Sequence, residues 1–352
     1  MSYNDGMAAM NLEFSDRVPR TEYSAEFHWK LVSAVTGIDV GPDSPPQERG
    51  RASNAFRLAW NYDMIWNILV SKNYMHGRTT SMGHAVYAEG GTDYNTDVSE
   101  AFTDPEEVLR LDPMELYGRI DIPQMTREFN EHYKSSVSSF PDAVNMTGVY
   151  ITCISGLIDM LGWDMLLTAL GTDPEAFGAL TDRYCRWIGQ HFEALAECEA
   201  PIVMVHDDIV WTEGAFVNPE WYRRFVFPNY RKLISPLIEA GKKILFTSDG
   251  TYTEFVDDIA GCGFHGFVME PTTDTALIAE RYGKDHVFVG NADTRVLLMG
   301  TRDDIRAEVK RCMDIGKKYP GFIMAVGNHI PPNTPVENAL WYNECYEEMS
   351  RR

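Results

Sequence analysis

At 352 residues, with 44% hydrophobic and 12% aromatic content, the chain has ample material for a large core, which excludes a disordered protein. Its formal charge of −21 repels phosphate backbones and anionic lipid, which argues against nucleic-acid binding and membrane-surface attachment. The six cysteines form no C-x-x-C pair, the usage of buried free thiols in a reducing compartment. No stretch approaches the ~20 apolar residues of a membrane span. The opening Met1-Ser-Tyr-Asn-Asp-Gly6 lacks the basic start and apolar run of a signal peptide, so a cytoplasmic protein is expected.

Residues 1 to 140 predict mostly helix with irregular insertions. Glu22 to Thr36 carries Phe27, Leu31, Val32 and Val35 at helical spacing, with Gly37 as a stop. Asn54 to Leu69, rich in Trp60, Tyr62 and Trp66, reads as another apolar-periodic run. Between His76 and Val98, Thr80, Ala85, Val86 and Tyr87, then Gly90-Gly91-Thr92-Asp93, predict short strands and turns. Thr103-Asp-Pro-Glu-Glu107 is a helix start, and Pro123 to Ser136 predicts the next helix.

From Ala143 the rhythm becomes regular. Strands are predicted at 144–151, 201–206, 243–248, 264–269, 286–290 and 321–326, with helices at 154–170, 174–198, 219–240, 252–260, 274–282, 302–317 and 335–349. This alternation argues for a parallel sheet. Several βα units in a row, with no Gly-x-Gly-x-x-Gly after any strand, favour an α/β fold of the (β/α)8 TIM-barrel type over a dinucleotide-binding sheet. Residues 1–352 are expected to make one barrel domain, with 1–140 holding an N-terminal helical elaboration.

The predicted strands end on polar groups: His206-Asp207-Asp208, Asp249, Glu270, Asn291-Ala-Asp293 and Asn328-His329. Any one of these has a plain reading as a helix cap, yet together they make a polar rim at the strand ends where barrels hold ligands. Asp249, Glu270 and His329 are the expected metal ligands, since two oxygens and one nitrogen suit Zn²⁺ with an open position. Trp211 and Phe216, in the loop after the His206 strand, are expected to wall a substrate. The aromatics of Trp221-Tyr222-Arg-Arg-Phe225 are expected to pack inward from a helix.

The series His206-Asp-Asp-Ile209, Phe216-Val-Asn-Pro-Glu-Trp-Tyr-Arg-Arg-Phe-Val-Phe-Pro228, Ser248-Asp-Gly250, Gly290-Asn-Ala-Asp293 and Ile330-Pro-Pro-Asn-Thr-Pro-Val-Glu-Asn338 resembles the uroporphyrinogen decarboxylase superfamily. The resemblance runs from about residue 140 to the end, and the closing Pro-Pro-x-Thr-Pro-x-Glu-Asn stretch is its most specific part. It implies a (β/α)8 barrel with its site at the carboxyl ends of the strands. The superfamily holds porphyrinogen decarboxylases and zinc-dependent methyltransferases that work with corrinoid proteins. The decarboxylases carry an N-terminal Met-Arg-Gln-Ala-Gly-Arg-like segment, and this chain has only Asp16-Arg-Val-Pro-Arg20 and Arg51. The methyltransferase branch is the better match.

Thiol-methylating members bind zinc through His-x-Cys, Glu and Cys, positions that fall here on Thr247 and Asp249, on Glu270, and on Asn328 or His329. Both cysteines are gone, and the harder donors that remain suit an ether or phenolate oxygen. The resemblance thus implies zinc as a Lewis acid on the ether oxygen of a methoxylated, aromatic substrate. It also implies cobalamin carried by a corrinoid protein as methyl acceptor, and leaves a homodimer open. On this reading His206, Asp207 or Asp208 delivers a proton, and Trp211, Phe216, Tyr222 and Asn328 contact the substrate. The competing readings are a metal-independent decarboxylase, a methylcorrinoid-to-thiol or folate methyltransferase, and a non-enzymatic binding module.

Overall fold

The computed structural model of the chain describes residues 1–77, 79–80 and 101–352. The strands and turns expected from Ala85 to Asp93 lie outside the described residues. In chain order the strands are β1 (Met64–Ile65), β2 (Val144–Asn145), β3 (Thr147–Val149), β4 (Ile202–His206), β5 (Val210–Trp211), β6 (Gly214–Ala215), β7 (Lys243–Ser248), β8 (Gly266–Met269), β9 (Val287–Val289) and β10 (Phe322–Ile323).

Six of these form one parallel sheet in the order β10-β9-β8-β7-β4-β3. Its strands are buried and mostly apolar along their length because both faces are covered, the outer one by helices such as Pro174–Glu197, Phe227–Glu239 and Arg302–Gly316. Two further extended segments complete a ring of eight. β1 pairs in parallel with β2, which runs on into β3. The segment around Arg20 lies between β1 and β10: Asp63 N–H donates to Arg20 C=O at 2.9 Å, Thr21 N–H to Met324 C=O at 3.0 Å, and Met324 N–H to Pro19 C=O at 2.8 Å. The (β/α)8 barrel expected from the sequence is therefore present.

The helix Tyr3–Met10 lies against β2 and β10. It comes close because Gly6 has no side chain; a Cβ there would sit 2.8 Å from Asp63 C=O. Helix starts follow the local signals: Asp104, Asp173, Asn218, Asp274 and Asp293 each accept a first-turn N–H, and Thr301 and Asp304 make a capping box.

Two early expectations fail. Glu22 and Tyr23 belong to the barrel ring, and the helix read from Glu22 starts only at Trp29. The run from Asn54 is helical only to Ala59, after which the chain turns at Asn61 (φ 52°) into β1. In both places pairing with neighbouring strands overrides helical spacing of apolar residues. Among the described residues no single helix is long and apolar enough to cross a membrane, and the most apolar pair, Ile154–Leu161 with Trp163–Thr172, turns by 108° at Gly162.

Candidate active site

The carboxyl ends of the strands converge on a cavity of ≈ 50 Å³, space for a few water molecules or an ion. It is lined by residues that end or follow the strands: Tyr23, Trp66, Tyr150, His206, Asp249, Glu270, Asn328 and His329, with Thr247 and Met269 among the others. Among the described residues, no Arg or Lys lines it.

His206, the last residue of β4, is buried, and its Nε2 lies 3.1 Å from Asp208 Oδ1. Burial works to lower the imidazole pKa, but the Asp208 carboxylate outweighs it and holds His206 up at about 9. Asp208 Oδ1 also accepts the backbone N–H of Asp249 at 2.9 Å, which draws the loop after β7 toward the end of β4. His206, Asp208 and Asp249 each bring one ligand atom within 4.8 Å of the others.

Asp249 keeps exposed surface, with protein close around its carboxyl. Desolvation there, then repulsion from Asp208 and Glu270, pushes its pKa well above the usual carboxylate range, against the opposing pull of His206 and Asn328. Asp208, Asp249 and Glu270 crowd around one imidazolium, His206, and among the described residues no Arg or Lys of the lining balances the remaining charge, which is relieved either by protons or by a bound cation. An imidazole nitrogen and two carboxylates at ligand spacing fit a divalent metal such as Zn²⁺ with an open coordination position.

The expected set Asp249, Glu270 and His329 shares this cavity, but ligand spacing joins Asp249 to His206 and Asp208. Glu270 Oε2 accepts the Gly250 N–H at 2.7 Å, and its Oε1 accepts the Asn328 side-chain amide. Gly250 adopts φ +82°, and a Cβ there would lie 2.5 Å from Trp211 C=O, so only glycine lets the loop pass. His329 Nδ1 is 2.6 Å from Ser24 Oγ. Burial, then the positive His206, lowers His329 to about 4, which keeps it neutral at pH 7.

Asp207 is corrected from proton donor to structural cap. Its side chain is buried and accepts from Cys153 N–H (3.2 Å), Ile154 N–H (3.1 Å), Ser155 N–H (2.7 Å) and Tyr230 O–H (2.5 Å), which anchors the start of helix Ile154–Leu161. Tyr222 is likewise corrected from substrate wall to core. It is fully buried, 5.0 Å from Phe255 and 6.0 Å from Phe216 between ring centroids. Trp211 is 50% exposed on the β5–β6 hairpin, where it clusters with Phe216 and Trp163 outside the cavity lining. The further polar strand ends are structural: Asn291 Nδ2 donates to Glu270 C=O at 3.1 Å, and Asp293 caps its helix and pairs with Arg295.

The sequence reading missed Tyr23, Trp66 and Tyr150, which supply the aromatic walls. Tyr23 packs edge-on against Trp66 (4.9 Å between centroids), and Tyr150 packs edge-on against His206 (5.0 Å). Their signal is positional: each ends or follows an inner strand, as His206 and Asp249 do.

The family model described as uroporphyrinogen decarboxylase (URO-D) matches residues 75–349. The chain is 29% identical over 178 residues to the uroporphyrinogen decarboxylase of Syntrophotalea carbinolica, covering 51% of this chain and 50% of that protein. It is 27% identical over 196 residues to that of Geobacter metallireducens, covering 54% of each. The chain thus spans about half the length of these curated relatives. Among solved structures, a methyltransferase from Methanosarcina mazei superposes with a TM-score of 0.66 over 97% of each chain at 18% identity, a likeness of fold. With well over half of its length matched by the family model, the chain belongs to the uroporphyrinogen decarboxylase family.

Proposed function

We propose that the protein is a methyltransferase that removes a methyl group from a methoxylated aromatic compound and passes it to the Co(I) of a corrinoid protein docked over the barrel mouth. It works in the cytoplasm as one barrel domain over residues 1–352. The observation that supports this reading is the ligand spacing of His206, Asp208 and Asp249 beside a cavity that, among the described residues, no Arg or Lys lines.

In this reading His206, Asp208 and Asp249 hold a divalent ion, most simply Zn²⁺. When bound, the ion supplies Lewis acidity at the ether oxygen, whose poor leaving ability is the barrier to demethylation. The chain's own residues fix that geometry. Asp208 orients His206 and, through the Asp249 N–H, the β7 loop. Glu270 accepts from the Asn328 side-chain amide and from the Gly250 N–H, which keeps the Asp249 loop in place. Trp66, Tyr150, Met204 and Met269 give the cavity an apolar wall that suits the methoxy group and excludes water from it, with the aryl ring lying toward the cavity mouth. The methyl carbon leaves toward cobalt and the C–O bonding pair stays on the product oxygen, which then takes up a proton.

The names of the curated relatives favour decarboxylation as a second reading. A polycarboxylate substrate calls for cationic partners, and the two arginines of the Asp16-Arg-Val-Pro-Arg20 stretch are committed elsewhere. Arg17 bonds Asp63 and Tyr346, and Arg20 is buried against Glu22. The deciding experiment supplies the zinc-loaded protein with 2-methoxyphenol and a reduced corrinoid protein and follows loss of the Co(I) absorbance. Zinc-dependent methylation supports the proposal. Absence of methylation, together with release of CO₂ from a carboxylated substrate by metal-free protein, overturns it.

A further inference from the structure

Two hydroxyls in the cavity stand apart from its other polar groups. Asn328 and Glu270 bond each other, Ser248 Oγ bonds Asp249 C=O, and His329 bonds Ser24. Tyr23 Oη and Thr247 Oγ1 are both sealed from solvent, and neither has a hydrogen-bond partner among the described residues, although both residues line the cavity. Tyr23 is 8% exposed. A buried hydroxyl without a partner costs stability, so its retention at a cavity wall marks a site where something else completes it.

Both side chains are held on rigid elements. Tyr23 is fixed by its edge contact with Trp66 and by its backbone bridge to His329. Thr247 lies on β7 in register with His206 on β4 and Val268 on β8, and all three line the cavity. The Tyr23 phenol stays protonated, because burial, then Glu22, raises its pKa well above the ordinary value, so it presents a donor.

We propose that Tyr23 and Thr247 form a hydroxyl pair that binds an oxygen of the molecule held in the cavity, with Tyr23 as donor. Beside the His206, Asp208 and Asp249 group, the pair fixes a second point of the ligand and selects for small oxygen-bearing compounds over bare hydrocarbons. The proposal rests on the functional reading above only for the ligand's identity.

The test uses Tyr23→Phe and Thr247→Val, which keep shape and remove one hydroxyl each. Calorimetric titration with phenol and with 2-methoxyphenol gives affinity, and urea unfolding gives the stability of the free protein. The expected result is binding about tenfold weaker in each variant, the loss of one hydrogen bond, with an unfolding midpoint equal to or above the parent's. A lowered midpoint with unchanged affinity would identify the hydroxyls as structural and overturn the pair. A parent that binds neither compound, or variants that bind both as tightly as the parent, overturns it too. Phenol carries no methyl group, so phenol binding that weakens in both variants keeps the pair even where 2-methoxyphenol gives no methyl transfer to the corrinoid protein, a result that retires the proposed activity.

Discussion

Asp208 Oδ1 lies 3.1 Å from His206 Nε2 and accepts the Asp249 backbone N–H at 2.9 Å, so one carboxylate oxygen ties the end of β4 to the loop after β7. The tie brings donors from separate βα units within reach of a single ion. It also makes Asp208 the member whose loss disturbs both of the others.

The first prediction concerns metal content. His206→Ala, Asp208→Ala and Asp249→Ala, dialysed against zinc without chelator, are each expected to lose the about one zinc per chain bound by the parent. Glu270→Gln should retain zinc with affinity lowered about 10- to 100-fold, as for a residue that positions a ligand loop. His329→Ala should keep the parent stoichiometry. Elemental mass spectrometry reads all five, and loss of zinc in His329→Ala alone would restore that histidine as a ligand.

Asp207 is predicted to act on the fold. Asp207→Ala leaves three buried backbone N–H groups and the Tyr230 hydroxyl without their acceptor. The expected loss is about 3 kcal/mol or more in urea unfolding, since each stranded buried donor costs about 1–3 kcal/mol before relaxation. Tyr230→Phe removes one bond of the set and should cost about 1 kcal/mol. Asp207→Ala of parent stability but without activity would return Asp207 to the chemistry.

A buried ion pair closes the barrel seam. Arg20 Nη2 lies 2.8 Å from Glu22 Oε1, its guanidinium sits 4.4 Å from the Tyr346 ring and 4.9 Å from the Trp60 ring, and Glu22 Oε2 accepts the Val326 N–H. Glu22→Leu alone should destabilise the protein by about 3–5 kcal/mol, because it strands a buried cation. Arg20→Met combined with Glu22→Leu should cost clearly less than the sum of the single changes. Strict additivity in denaturant titrations would refute the pairing.

Acid sensitivity follows from His191. It is fully buried beside Tyr74 and Trp187, and burial lowers its pKa to about 4. The unfolded imidazole titrates near 6.5, at about the model-peptide value, so between these values the unfolded chain binds more protons than the folded one. Its contribution is therefore intact above about pH 6.5 and is lost as pH falls toward 4. His191→Phe should flatten the stability profile across that window in urea titrations at stepped pH. An unchanged slope would assign the acid loss to other groups.

Much of the site was legible because a parallel strand announces its end: an apolar run stops on a polar residue. His206, Asp249, Glu270, Asn328 and His329 were found in this way, and all five line the cavity. Tyr23 and Trp66 were hidden because their segments carry apolar residues at helical spacing, while hydrogen bonds to distant strands hold the backbone extended. Asp207 and Asp208 differ by one position, and only the fold shows that the first turns to a helix start and the second to His206.

The sequence by itself determined the alternation of strand and helix, the caps that start the helices, and the set of polar groups delivered to one end of the barrel. These depend on contacts within a few residues along the chain. Which of those groups meet, which are consumed by backbone donors, and which hydroxyls stay open was decided only by the tertiary structure. Those outcomes depend on partners many tens of residues away, as between Asp208 and Asp249 or Glu270 and Asn328, and on side-chain direction, which a one-residue step reverses.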